Sequence, residues 1–211
     1  MLRGLALGVR LRPEDAVSLQ LAALGYSRDR VRTVIATHLH ADHISGAADF
    51  PDAEVVTTAE ELRAFSSLSR DVAYRACDLA GAERIRVARL REGPRLGFSA
   101  SLDLFGDREV LLLDAGGHTP GSLAVGIRGP RNFWVHVGDA VFLDWEYGLG
   151  YEGPGRLATI FGADRKAMRR TYAAIRACVE DESRPVVVPS HDLNVFESLP
   201  QRPAPLEAAA A

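Results

Sequence analysis

The sequence predicts an α/β fold in one domain. Runs rich in Val, Ile and Leu recur at 31–36, 54–57, 110–113, 133–137 and 185–188, and stretches with helical spacing lie between several of them. Four of these runs lead into a His or Asp of the metal-binding type. A length of 211 residues, with 47% hydrophobic and 25% charged residues, suits a single globular domain with a sizeable core.

In chain order, Pro13-Glu14-Asp15 opens a helix, with proline in the first turn and acids at the positive end of the dipole. Val17, Leu21 and Leu24 lie on its apolar face and Gly25 closes it. A strand over 31–36 follows, then a ligand-rich segment, and Ser45-Gly46-Ala47-Ala48 allows a tight turn into a short helix. Glu54 to Thr57 is the next strand, and Thr58-Ala59-Glu60-Glu61 has the spacing of a capping box. A helical piece is expected over 71–81. Ile85 and Val87 alternate with arginines, which suggests a half-exposed strand. Leu102 and Leu104 precede the Gly106-Asp107 turn into strand 109–113. Residues 122–127 and 133–137 form a hairpin around Gly129-Pro130-Arg131-Asn132. Met168, Tyr172, Ile175 and Val179 mark an amphipathic helix over 164–180. The domain is expected over 1–200, with a loose tail over 201–211 that is rich in Pro and Ala.

The chemistry concentrates in Thr37-His38-Leu39-His40-Ala41-Asp42-His43. Imidazole and carboxylate are the usual ligands of zinc and related first-row metals. His38 and His40 converge from one side of an extended segment, and the following turn carries Asp42 and His43 to a second position nearby. Four such ligands in so short a stretch suggest two metals. His118, in GGHTPGS, follows the run 110–113. Asp139, in VGDA, follows 133–137, and His191, in PSHD, follows 185–188. His136 lies three residues before Asp139, so strand alternation turns it to the opposite face as a structural or surface histidine.

HLHADH, GGHTPGS, VGDA and PSHD, in this order, resemble the metallo-β-lactamase superfamily of metal-dependent hydrolases, over about Leu21 to Leu199. The resemblance implies a four-layer αβ/βα sandwich with two metals at the rim between two sheets. His38, His40 and His118 would hold the first metal. Asp42, His43 and His191 would hold the second, with Asp139 bridging. The bridging Asp139, without a cysteine, is closer to the lactonase and glyoxalase II branches than to antibiotic-hydrolysing enzymes.

The implied cofactors are two divalent cations, zinc by default with iron or manganese as alternatives. They would lower the pKa of a bridging water and supply hydroxide for attack on the carbonyl of a small ester, lactone or thioester. Asp42 would also orient the nucleophile or shuttle a proton. A glyoxalase II-like thioesterase is the nearest alternative. Phe142 stands where acyl-homoserine lactonases commonly carry tyrosine. With Trp145, Tyr147 and Tyr151 it offers either a pocket lining or plain packing.

Relatives usually place several strands before the first histidine motif, whereas a helix and one strand are expected here. N-terminal strands are therefore expected to be missing, through a misassigned start, a truncated gene or a partner chain such as a second copy covering the open sheet. A truncated metal-binding remnant without turnover is the rival from another class. The net charge of −3 gives no general attraction to nucleic acid or anionic membrane. No run approaches the roughly 20 apolar residues of a bilayer span. Cys77 and Cys178 fall outside the motifs and are expected to be reduced structural thiols, and a cytoplasmic location is expected.

Overall fold

The computed structural model describes residues 12–67, 73–75, 79, 84–148 and 164–199. Its strands form two sheets. The first holds β1 (Thr33–Ile35), β2 (Glu54–Thr58) and β3 (Ile85–Ala88), all parallel, in the order β1-β2-β3. The second holds β4 (Ser101–Asp103), β5 (Val110–Asp114), β6 (Leu123–Arg128), β7 (Phe133–Gly138) and β8 (Val186–Pro189) in sequence order. Strands β4 to β7 pair antiparallel in succession, and β8 joins β7 in parallel. The helices are α1 (Val17–Ala23), α2 (Ala41–Ile44), α3 (Ala59–Ser66), α4 (Arg165–Val179) and α5 (Leu193–Ser198).

Because successive strand residues face opposite sides, alternation sorts the apolar side chains into separate layers. On β2, Val55 packs with Ala36, Leu39, Ile44 and the α3 residues Leu62 and Phe65. Its neighbour Val56 packs instead with Leu104, Leu112, Leu123 and Val125 of the other sheet. On β5 the same switch sends Leu112 inward, while Leu111 and Leu113 pack with Tyr172 and Ile175 of α4. The order of layers is helices, three-stranded sheet, five-stranded sheet, helix. This is the four-layer αβ/βα sandwich expected from the resemblance.

The hairpin, the 109–113 strand and the strand at 185–188 form as expected. So does α4, where Asp164 caps the first turn by accepting the Lys166 and Ala167 N–H groups. Two expectations shift. Val17 is 60% exposed, and Leu21 and Leu24 are only half-buried, so α1 has no buried face in the described structure. Ile85 and Val87 are 42% and 40% exposed, so the apolar side of β3 is less covered than the alternation suggests. The helix expected over 71–81, apart from residues 73–75 and 79, lies outside the described residues, as do Cys77, Tyr151 and the tail. Cys178 is buried and unpaired, and burial pushes its thiol up to about 12.

Candidate metal centre

The segment after β1 stays extended. The Ala36 N–H donates to Val56 O, and Thr37 O accepts from the Leu123 N–H of the facing sheet at 2.7 Å. Extended backbone puts His38 and His40 on one side and sends Leu39, fully buried, into the core beneath the helices. His40 then serves as the N-cap of α2, whose single turn brings Asp42 and His43 round to the same side. The helix thus begins at Ala41, ahead of the Ser45-Gly46 turn expected to start it.

His118 arrives from the β5–β6 connection. Gly117 has a φ of +140°, and a Cβ there would strike the Met168 backbone N at 2.6 Å, so only glycine lets this loop lie against α4. The Asp164 N–H and the Thr171 hydroxyl anchor the loop by donating to the carbonyls of Gly117 and Gly116. Asp139 follows β7 directly, and His191 follows β8. The parallel pairing of these two strands brings their ends together.

All seven expected side chains meet. One ligand atom from each of His38, His40 and His118 lies within 4.8 Å of the others, and the same holds for Asp42, His43 and His191. His38 is 4.0 Å from His43 between ring centroids, so the groups share a wall. Asp139 stands between them. Its Oδ2 lies 3.6 Å from His118 Nε2, and its Oδ1 lies 3.3 Å from both His43 Nε2 and His191 Nε2. His118 Nε2 and His40 Nδ1 are 3.2 Å apart, and Asp42 Oδ2 is 3.5 Å from His43 Nε2. Ligand atoms around a tetrahedral zinc, with bonds of about 2.1 Å, are separated by about 3.4 Å. His38 Nε2 is buried without a hydrogen-bond partner. Such an atom is costly unless something completes it, and the donor set fits divalent cations.

The electrostatics differ between the groups. Burial holds His38 neutral, down to about 2, and His118 down to about 4. Burial also acts to lower His43, but the Asp139 and Asp42 carboxylates outweigh it and push the imidazole up to about 9. Asp42 is held down at about 2 by its contact with His43. Burial raises Asp139, yet His191 and His43 more than offset this and keep it well below the usual carboxylate range. His191 is raised by Asp139. His136 faces away, and its Nδ1–H donates to Val188 O at 2.9 Å.

Of the aromatic residues after Asp139, Phe142 reaches the centre, with ring centroids 5.9 Å from His118 and 5.8 Å from His191. Trp145 is exposed and Tyr147 packs on the core. Buried Glu146 holds this turn by accepting the Phe142 and Leu143 N–H groups on Oε1 and the Tyr172 hydroxyl on Oε2. Asp192 accepts the Asp144 N–H at 2.7 Å and caps α5.

Glu61 escaped the sequence reading of the site. The Thr58 hydroxyl does cap α3 by accepting the Glu61 N–H. The Glu61 carboxylate does not reach back, however, and is wholly buried between the ligand loops. The only sequence signal was a capping box, which any surface helix can carry.

A family model described as the metallo-beta-lactamase superfamily matches residues 7–191. A probable metallo-hydrolase of Mycobacterium tuberculosis is 33% identical over 141 residues, covering 61% of this chain and 43% of that protein. The chain thus spans less than half the length of this curated relative. The N-acyl homoserine lactonase AttM of Azorhizobium caulinodans is 26% identical over 202 residues, covering 92% of this chain and 70% of that one. The crystal structure of B. thuringiensis AiiA with N-decanoyl-L-homoserine at its active site superposes with a TM-score of 0.71 at 19% identity, covering 90% of this chain and 68% of that one. Two facing sheets, seven gathered ligand-type side chains and a family match over nearly the whole chain agree: this protein belongs to the metallo-beta-lactamase superfamily.

Proposed function

We propose that the chain is a dinuclear metallohydrolase of small esters, lactones or thioesters. His38, His40 and His118 hold one divalent cation, and Asp42, His43 and His191 hold the other. Asp139 serves both. The observation that supports this most is the division of the Asp139 carboxylate, Oδ2 toward His118 and Oδ1 toward His43 and His191. When bound, the cations supply hydroxide at neutral pH and a Lewis-acid contact for the carbonyl oxygen.

The protein's own groups do the rest. Burial keeps His38 and His118 neutral, so their lone pairs are free for a cation across the physiological range. Asp42 is ionised and its side chain is 63% exposed at the mouth of the site. From there it orients the attacking water and carries a proton to the leaving oxygen or sulfur. Phe142 gives an apolar wall beside His118 and His191, suited to the carbon skeleton of an acyl substrate. The lactonase name of the Azorhizobium relative favours lactones as the first class to test.

The experiment is elemental analysis of the purified chain, followed by matched lactone, ester and thioester panels for wild type, Asp42→Asn and Asp139→Asn. About two metals per chain, with turnover that falls in both variants, supports the proposal. A preference for thioesters would make it glyoxalase II-like. Bound metal without turnover of any substrate would leave a metal-binding remnant and refute hydrolysis.

A further inference from the structure

We propose that Glu61 is a positioning residue that sets the geometry of the three-histidine group, and with it the affinity of that group for its cation. The inference rests on the reading of His38, His40 and His118 as a metal site. Glu61 sits in the first turn of α3 and is 0% exposed. Its Oε1 accepts the Leu39 N–H at 2.9 Å and the Tyr74 hydroxyl at 2.9 Å. Its Oε2 accepts the Thr119 hydroxyl at 2.6 Å and the Gly121 N–H at 3.2 Å. Leu39 lies between His38 and His40, and Thr119 directly follows His118. One carboxylate therefore ties both ligand-bearing segments together, although they come from different sheets. Tyr74 extends the network, its ring lying 4.7 Å from that of His40.

The Asp42, His43 and His191 group has no hydrogen bond to Glu61 among those found in the described residues. A defect at Glu61 should consequently weaken one site and spare the other. The donor pattern also requires a carboxylate. Two of the four donors are backbone N–H groups, one on each oxygen, and a backbone N–H cannot turn to accept. An amide in either orientation would place its NH2 against the Leu39 or the Gly121 N–H. The fit is tight, since a Cβ at Gly121 would collide with the Thr58 hydroxyl and the Glu61 backbone. Groups that orient metal ligands commonly change affinity by about 10–100-fold when altered.

The test is competitive titration of the metal-free 211-residue chain with Zn2+ against a chelator, with Co2+ absorption as a second readout. Wild type, Glu61→Gln, Thr119→Val and Thr119→Ser are compared. The expectation is two affinity classes in wild type, with one weakened by about 10-fold or more in Glu61→Gln and Thr119→Val and the other unchanged. The Co2+ band of that class should shift, and Thr119→Ser should restore it by keeping the hydroxyl. Equal weakening of both classes, tracking a lower melting temperature, would assign Glu61 a general structural role and overturn the proposal. Unchanged titrations would overturn it as well. If Glu61→Gln does not fold, the Thr119 pair decides the question alone. Wild-type protein that binds no metal would instead refute the metal-site reading itself.

Discussion

Metal binding to this protein should expel countable protons, and His43 should supply one beside any given up by metal-bound water. Metal-free His43 is pushed up to about 9 by Asp139 and Asp42, against the opposing effect of burial. A ligating imidazole must be deprotonated. At about pH 7.5 a group with that pKa is almost fully charged, so seating a cation on it releases about one proton. The other groups with resolved shifts sort cleanly. His38 and His118, at about 2 and about 4, are already neutral, and Asp42, at about 2, is already ionised. His191, raised by Asp139, adds a further fraction.

The assay is calorimetric titration of metal-free protein with Zn2+ in buffers of different ionisation enthalpy, where the slope counts protons. Raising the pH to about 9 should halve the His43 contribution, since half of these imidazoles are then neutral before binding. In metal-free Asp139→Asn the principal partner of His43 is gone and burial acts with less opposition, so the His43 imidazole, followed by NMR without added metal, should titrate below its wild-type value. A slope of zero in wild type at that pH, or one that does not fall toward pH 9, would refute the electrostatic account.

Other consequences can be checked with standard measurements. Gly121→Ala should lose about 1–3 kcal/mol in urea unfolding, because the added methyl meets the first turn of α3. Tyr172→Phe removes a buried donor from Glu146 and should cost about 1.5–3 kcal/mol, the usual value for a bond to a charged group. Phe142→Ala should raise KM more than it lowers kcat while leaving metal content unchanged, since the ring touches ligands without being one. Treatment with a strong chelator should abolish turnover, and re-addition of zinc, manganese or iron one at a time should identify the cation that restores it.

Much of the centre was legible in the chain because its signals are local. His38, His40, Asp42 and His43 share one short segment, and alternation along an extended backbone says which of them point the same way. The strand ends bearing His118, Asp139 and His191 were equally visible, since an apolar run that stops at a polar ligand needs no partner to be recognised. The helix over 164–180 and the hairpin around 129–132 follow from periodicity and turn chemistry.

Periodicity reports the face of an element and not the distance between elements, and everything else depended on that distance. The opposite aims of the two Asp139 oxygens exist only once β5, β7, β8 and the loop after β1 converge. Ile85 and Val87 alternate like buried residues, yet they remain 42% and 40% exposed, because alternation names a face and not what packs on it. Glu61 is the clearest case. Its sequence neighbourhood specifies a helix start, while its side-chain partners lie 13, 22, 58 and 60 residues away. A local pattern cannot announce a carboxylate whose donors all arrive from elsewhere, so tertiary packing alone made Glu61 the tie between the His38–His40 segment and the loop after His118.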